Sequence, residues 1–317
     1  MTDSERTVWP EIPFEPWKET MANLHMMTQI VGKVRLMRTP WLNHSWHVPL
    51  YVSPRGLTTS TIPDGGRVFE MEFDFIDQVL AIHVSDGQER RMDLKQGSIA
   101  EFFSQVMAAL KQIDLHVDID EIPNEVAEAV RFSEDTAARP YDADAVYRFW
   151  LALVQVDRVL KLFRTRFLGK CSPSHFFWGS FDQAVTRFSG RTAPRHPGGF
   201  PNLSDAVTVE AYSHEVSSAG FWPGGGPVDY PAFYSYAYPT PDAFADASVQ
   251  PDAAFFLKEL SEFVLPYDAV RTAGDPNGAL LAFLQSTYEA AADAADWDRE
   301  TLECAQGQLD VPRAVPG

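Results

Sequence analysis

"RVFEMEFDFIDQVLAIHVSDGQERRMDL", residues 67–94, decides how this chain is read. Phe69, Met71, Phe73 and Phe75 alternate with Glu70, Glu72 and Asp74, the period of a strand with one dry face and one wet face. The next apolar run turns back at Asp86-Gly87, a pair suited to the left-handed backbone of a tight hairpin. The sheet seeded here is therefore antiparallel. Upstream, Trp17, Met21, Leu24, Met27 and Val31 recur at helical spacing, with His25 and Gln29 one turn apart on a neighbouring face. Downstream, Ser98 and Glu101 are spaced as a capping box and open a second helix. "LHVDIDEIP" (115–123) then reads as a short strand stopped by Pro123.

The second half follows the same order. A long helix runs from Ala143 to about Leu168, with Asp142 and Asp144 at its start, Lys161, Arg164 and Arg166 near its end, and Gly169 beyond. Strand patterns follow in "HFFWGSFDQAVTRFSG" (175–190), "AVTVEAYSHEVSS" (206–218) and "AFYSYAYP" (232–239). "DAAFFLKELSEFV" (252–264) reads as a helix, as does 275–297, where Asp275 is the cap and Pro276 the first helical residue. In both halves a helix leads to Gly-Lys (Gly32-Lys33, Gly169-Lys170), then a tryptophan (Trp46, Trp178) and an arginine nine residues on (Arg55, Arg187). The expected class is α+β, built from two similar helix, antiparallel-strand, helix modules fused as a pseudo-twofold tandem duplication. The modules span 1–137 and 138–304, with a loose tail at 305–317 and a cleft expected between the halves.

Composition limits what such a body does. A chain of 317 residues, 45% hydrophobic and 13% aromatic, has ample material for a large core. A formal charge of -18 argues against nucleic acid and against anionic membranes as partners, leaving a small-molecule ligand as the expected one. "MTDSERTVWPEIP" (1–13) contains no apolar segment that reads as a leader, and two cysteines, Cys171 and Cys304, suit a reducing cytoplasm.

"PWLNHSWHVPLYV" (40–52) concentrates two tryptophans and two histidines. Read as a strand, it places His44 and Trp46 on one face and Asn43 and His47 on the other. Matching Trp46 to Trp178 sets His175 opposite Asn43, and laying residues 71–87 separately on 209–225 pairs Glu72 with Glu210, in a strand where Glu210, Tyr212 and His214 share a face. His47, His175, Glu210 and His214 are thus the expected acid–base groups. A metal version uses His175, Glu210 and His214 as ligands of divalent zinc or iron. Asn43, Arg55, Trp178, Arg187, Arg191 and Tyr212 are the expected substrate contacts, the arginines holding an anionic group. The plainer reading of those arginines is that they neutralise Asp74, Asp77 and Asp182. No phosphate loop, nucleophile elbow, zinc-protease or dinucleotide motif is present.

"TMANLHMMTQIVGKVRL", "NHSWHVPLYVSPRGLTTS", "SPSHFFWGSFDQAVTRFSGR", "EAYSHEVSSAGFWPGGG" and "FYSYAYP" together resemble a bacterial family classed as a domain of unknown function. The resemblance covers nearly the whole chain and implies a stand-alone protein, with no activity or cofactor attached. The first functional expectation is a small-molecule enzyme. The alternatives are a non-catalytic binding protein with an aromatic-lined cleft, and a structural protein whose polar rows satisfy one another.

Overall fold

The computed structural model describes residues 8–313, so 1–7, part of the stretch inspected for a leader, and 314–317, the end of the expected tail, lie outside the described residues. The chain divides into two units, each discontinuous in sequence. The first comprises Met1–Val154, His175–Asp182 and His196–Ala211, and the second Gln155–Ser174, Gln183–Arg195 and Tyr212–Gly317. Both carry antiparallel sheet beside helices, and the protein is α+β. No helix among the described residues is long and apolar enough to cross a membrane.

The first unit opens with α1 (Phe14–Arg38), whose buried residues lie on every side over its middle turns. Such a helix is central rather than amphipathic. The sheet that follows comprises β1 (Tyr51–Val52), β2 (Gly56–Thr58), β3 (Ile62–Asp64), β4 (Arg67–Asp74), β5 (Val79–Val84) and β6 (Glu89–Asp93). The order is β1-β2-β4-β5-β6, with β3 also on β4. Phe69, Met71 and Phe73 stand opposite Val84, Ile82 and Leu80 and are buried, as the alternation requires. α2 (Ile99–Lys111) begins with the expected capping box: Ser98 N–H donates to Glu101 Oε2 (3.0 Å) and Glu101 N–H to Ser98 Oγ (3.2 Å). α3 (Ala143–Arg164) starts in this unit, and β7 (His175–Phe177) exchanges two 2.8 Å backbone bonds with Leu50 through Phe176. α4 (Asp205–Ala211) completes the unit.

The second unit holds β8 (Asp182–Thr192), β9 (His214–Trp222), β10 (Ala232–Tyr238), β11 (Phe255–Leu257) and β12 (Glu262–Pro266). Within it the order is β11-β12-β10-β9-β8. α5 (Tyr267–Arg271), α6 (Pro276–Ala294) and α7 (Arg299–Leu302) follow. α6 starts as expected, Gly278 N–H donating to the Asp275 side chain (3.0 Å) with Pro276 in the first turn. Its buried side lies along β9 and β10.

Four expectations are corrected. Residues 252–264 form not a helix but the β11–β12 hairpin, turned at Ser261 with φ 58°. β10 offers β12 a free edge, and Phe256 packs on Phe244 and Phe263. Residues 115–123 form no strand. The strand expected at 206–218 is α4 followed by β9, so Glu210 is helical while His214 begins a strand. Asn43–Ser45 is a 3-10 turn, with His44 and Ser45 left-handed (φ 58° and 57°), which removes strand alternation from the loop.

Candidate functional site

The NHSWH loop is latched from beneath. Arg35, buried in α1, donates to the carbonyls of His47 (2.7 Å), Pro49 (2.6 Å) and Thr59. His47 Nδ1 stands between the N–H (3.1 Å) and the C=O (3.2 Å) of Leu42. Burial lowers its proton affinity despite the Leu42 backbone contact. The indole of Trp41 lies 4.9 Å from the His47 ring and donates to Glu210 Oε2 (2.6 Å). His44 Nδ1 is 3.0 Å from the Ala211 carbonyl. His47 and Glu210 therefore do meet, through Trp41, as parts of a latch. Asn43 is exposed and caps the turn through its carbonyl, which accepts from Trp46 N–H (3.4 Å).

The other expected residues belong to different elements of the two units. His175, fully buried on β7, meets the edge of Phe177 at 4.5 Å. His214, in the second unit, lies 3.0 Å from Ser213 Oγ. Among the described residues no three His, Cys, Asp or Glu side chains are placed to hold a metal ion, the trio His175, Glu210 and His214 included. Trp178 donates to the Val48 carbonyl (2.9 Å), and Tyr212 bonds Tyr236 hydroxyl to hydroxyl (2.8 Å). Arg55 pairs with Asp74 (2.5 Å) and Asp77 (3.0 Å), the plainer of its two readings. Arg187 is sealed from solvent. Its guanidinium stands 3.5 Å from the centre of the Phe163 ring and 4.3 Å from that of Tyr288, and burial lowers it to about 10. Arg191 is spent on Glu215 (2.7 Å) and the Ala295 carbonyl (2.5 Å).

A different constellation in the first unit is chemically less settled. His25, Gln29 and Lys33 recur at four-residue spacing and so share one face of α1. Lys33 Nζ donates to the Ile122 carbonyl (2.7 Å), and burial lowers its proton affinity. Gln29 exchanges two 2.8 Å bonds with the backbone of Asn124 and reaches His25 Nε2 at 3.1 Å. His25 Nε2 also stands 2.9 Å from the Gly179 carbonyl, which can only accept, so the ring proton belongs on that nitrogen and the Gln29 amide nitrogen beside it makes no hydrogen bond there. This stripe grips the 120–125 loop.

Loop residues lace it from the other side. Glu125 N–H donates to the Pro201 carbonyl (2.7 Å), Asn124 Nδ2 to Asn202 (2.5 Å), and Asn202 Nδ2 to Val126 (2.7 Å). Glu125, Phe181 and Asn202 all take left-handed backbone, at φ 60°, 59° and 52°. Asparagine tolerates that region, whereas Phe and Glu do so at a cost usually met where a site is being shaped. The Glu125 carboxyl lies over Gly179, where any Cβ would collide with its Oε1. No hydrogen bond or ion pair from a described residue reaches that carboxyl. Burial first, and then the nearby carboxylate of Asp182, push it up to about 7. Asp182 itself accepts from Ser180 Oγ. Burial takes His25 the other way, to about 4.

The sequence pattern of a family described as "Family of unknown function (DUF5996)" matches residues 9–304 of the 317. The chain belongs to that family. No curated protein and no solved structure matches it. The chemistry must therefore be read from the arrangement itself: a carboxyl pushed up to about 7 near a second acid, laid over a glycine whose carbonyl a buried imidazole holds. The sequence itself sets His25 and Gln29 one helical turn apart and offers Asp182 among the acids that arginines neutralise. Glu125 carried no signal beyond following Pro123 and Asn124 in a loop.

Proposed function

We propose that this protein is an enzyme acting on a small neutral molecule by general acid–base chemistry, with Glu125 giving and taking the proton. The observation that supports this is the Glu125 carboxyl itself. It is held by left-handed backbone bonded to Pro201, laid on a glycine surface and given no counter-charge by any described residue. A carboxyl placed so serves as an acid at neutral pH, where an ordinary glutamate is already ionised. Asp182 beside it, and the absence among the described residues of any cation paired with Glu125, disfavour an anionic substrate. The arginines expected to hold one are occupied elsewhere. His25 and Gln29 act as positioning residues, fixing the Gly179 carbonyl and the Asn124 backbone.

The test joins titration to screening. Carboxyl-detected NMR of the full chain is expected to show one glutamate titrating near neutrality, lost in Glu125→Gln. Compounds drawn from a library of neutral polar metabolites that the protein converts are expected to be converted at least ~100-fold more slowly by that variant. A compound bound through Glu125 yet never converted would instead favour the non-catalytic binding protein. An ordinary glutamate titration at this position would overturn both.

A further inference from the structure

The second unit contains a cavity of about 220 Å³ between the end of β10 and the C-terminal end of α6. Ala237, Pro239, Pro241, Ala291 and Trp297 provide apolar wall, and Glu215 is its one charged lining residue. The Glu215 carboxylate is spent on one side only. Oε2 accepts from Ser189 Oγ (2.8 Å), Arg191 Nε (2.9 Å) and Arg191 Nη2 (2.7 Å), and no described residue bonds to Oε1. Arg191 also donates to the carbonyls of Ala295 (2.5 Å) and Asp296 (3.0 Å) at the end of α6. Its charge is therefore divided between a carboxylate and the negative end of a helix, in a protein of net charge -18.

We propose that this cavity binds a small primary amine with an apolar body, its ammonium on Glu215 Oε1 and its hydrocarbon against Pro239, Pro241 and Trp297. Three features select that class. An unspent carboxylate oxygen demands a donor. The helix end adds negative potential at the same place. The indole of Trp297 favours an ammonium over a neutral donor. A carboxylic acid of the same shape would meet Glu215 with like charge. The volume admits several waters, and so a ligand of comparable heavy-atom count. The site shares no residue with the Glu125 constellation, and neither reading depends on the other.

NMR titration of the full chain with 3-methylbutylamine, 3-methylbutanol and 4-methylpentanoic acid tests it, following the Ala237 and Ala291 methyls and the Trp297 indole. The amine is expected to shift all three signals. The alcohol should bind roughly tenfold or more weakly, the value of a hydrogen bond to a charged group, and the acid should leave the signals unmoved. Glu215→Gln, which keeps an oxygen for Ser189 and Arg191, should remove the preference for amine over alcohol while a resonance map confirms its fold. Equal binding of amine and alcohol to the unaltered protein overturns the proposal without recourse to any variant. So does a stronger response to the acid, or no response to the amine at about 10 mM.

Discussion

The loop around His47 and the loop around Glu125 use the same materials to opposite ends. Each holds left-handed non-glycine residues, an imidazole whose proton affinity is lowered by burial, and a glutamate. In the first, Arg35 takes three carbonyls, Trp41 takes Glu210, and His44 and His47 are placed against backbone atoms. In the second, the backbone is tied as thoroughly, but the glutamate carboxyl is left over. Crowded histidines mark the place where polar groups have been consumed. A single unremarked carboxyl marks the place where one has been reserved. Function is better sought among groups the fold has not used than among groups it has gathered.

The contrast is broken most forcefully by attacking the latch. Arg35→Ala leaves the buried carbonyls of His47, Pro49 and Thr59 without their donor, and is expected to cost about 3–5 kcal/mol. Urea unfolding measures it. A loss under about 1 kcal/mol would show that water replaces the guanidinium and that the loop is no latch. The folded fraction should keep the near-neutral titration of Glu125, because none of the bonds that place that carboxyl involves Arg35.

Legibility in the sequence followed the range of the interactions. The β4–β5 hairpin, the Ser98 capping box and the Asp275-Pro276 helix start were readable because period, turn and cap lie within a few residues of one another. Residues 252–264 misled because Phe255, Phe256 and Leu260 fit a helical face as well as a hairpin, and only the free edge of β10 decides between them. At the NHSWH loop, strand alternation was assumed and φ 58° at His44 cancelled it. The candidate site was the least legible part. Glu125 acquires its character from Gly179, Asp182 and Pro201, residues remote in the chain that no local pattern connects to it.

Between the two members of the Glu125 constellation, pH provides a sharper instrument. Glu125 holds its proton more tightly folded than unfolded, so its contribution is complete below about 4.5 and is lost as pH rises through about 7. His25 holds its proton less tightly folded, so its contribution is complete above about 6.5 and is lost as pH falls through about 4. In the overlap the two slopes oppose and largely cancel. Glu125→Gln is expected to leave stability rising with pH across that window and to gain on the order of 2 kcal/mol over the unaltered protein at pH 8. His25→Gln should show the reverse slope, stability falling from pH 4.5 to 7. Chemical denaturation at half-unit pH steps reads both. Two variant profiles running parallel to the wild type would mean that neither group is held away from its ordinary titration.

The finest cut is Trp41→Phe. More than half of the indole is exposed, and its one directed bond is to Glu210 Oε2 at 2.6 Å. Phenylalanine preserves a ring for His47 and removes only the donor, so the expected loss is about 0.5–1.5 kcal/mol, the net worth of an ordinary hydrogen bond at a wet surface. Its value lies in what should stay still. No bond that places the Glu125 carboxyl involves Trp41, so the near-neutral titration of Glu125 is expected to be unmoved in the variant. A Glu125 titration that shifts when the Trp41 donor is removed would show that the two loops are coupled, and the contrast drawn between them would fail.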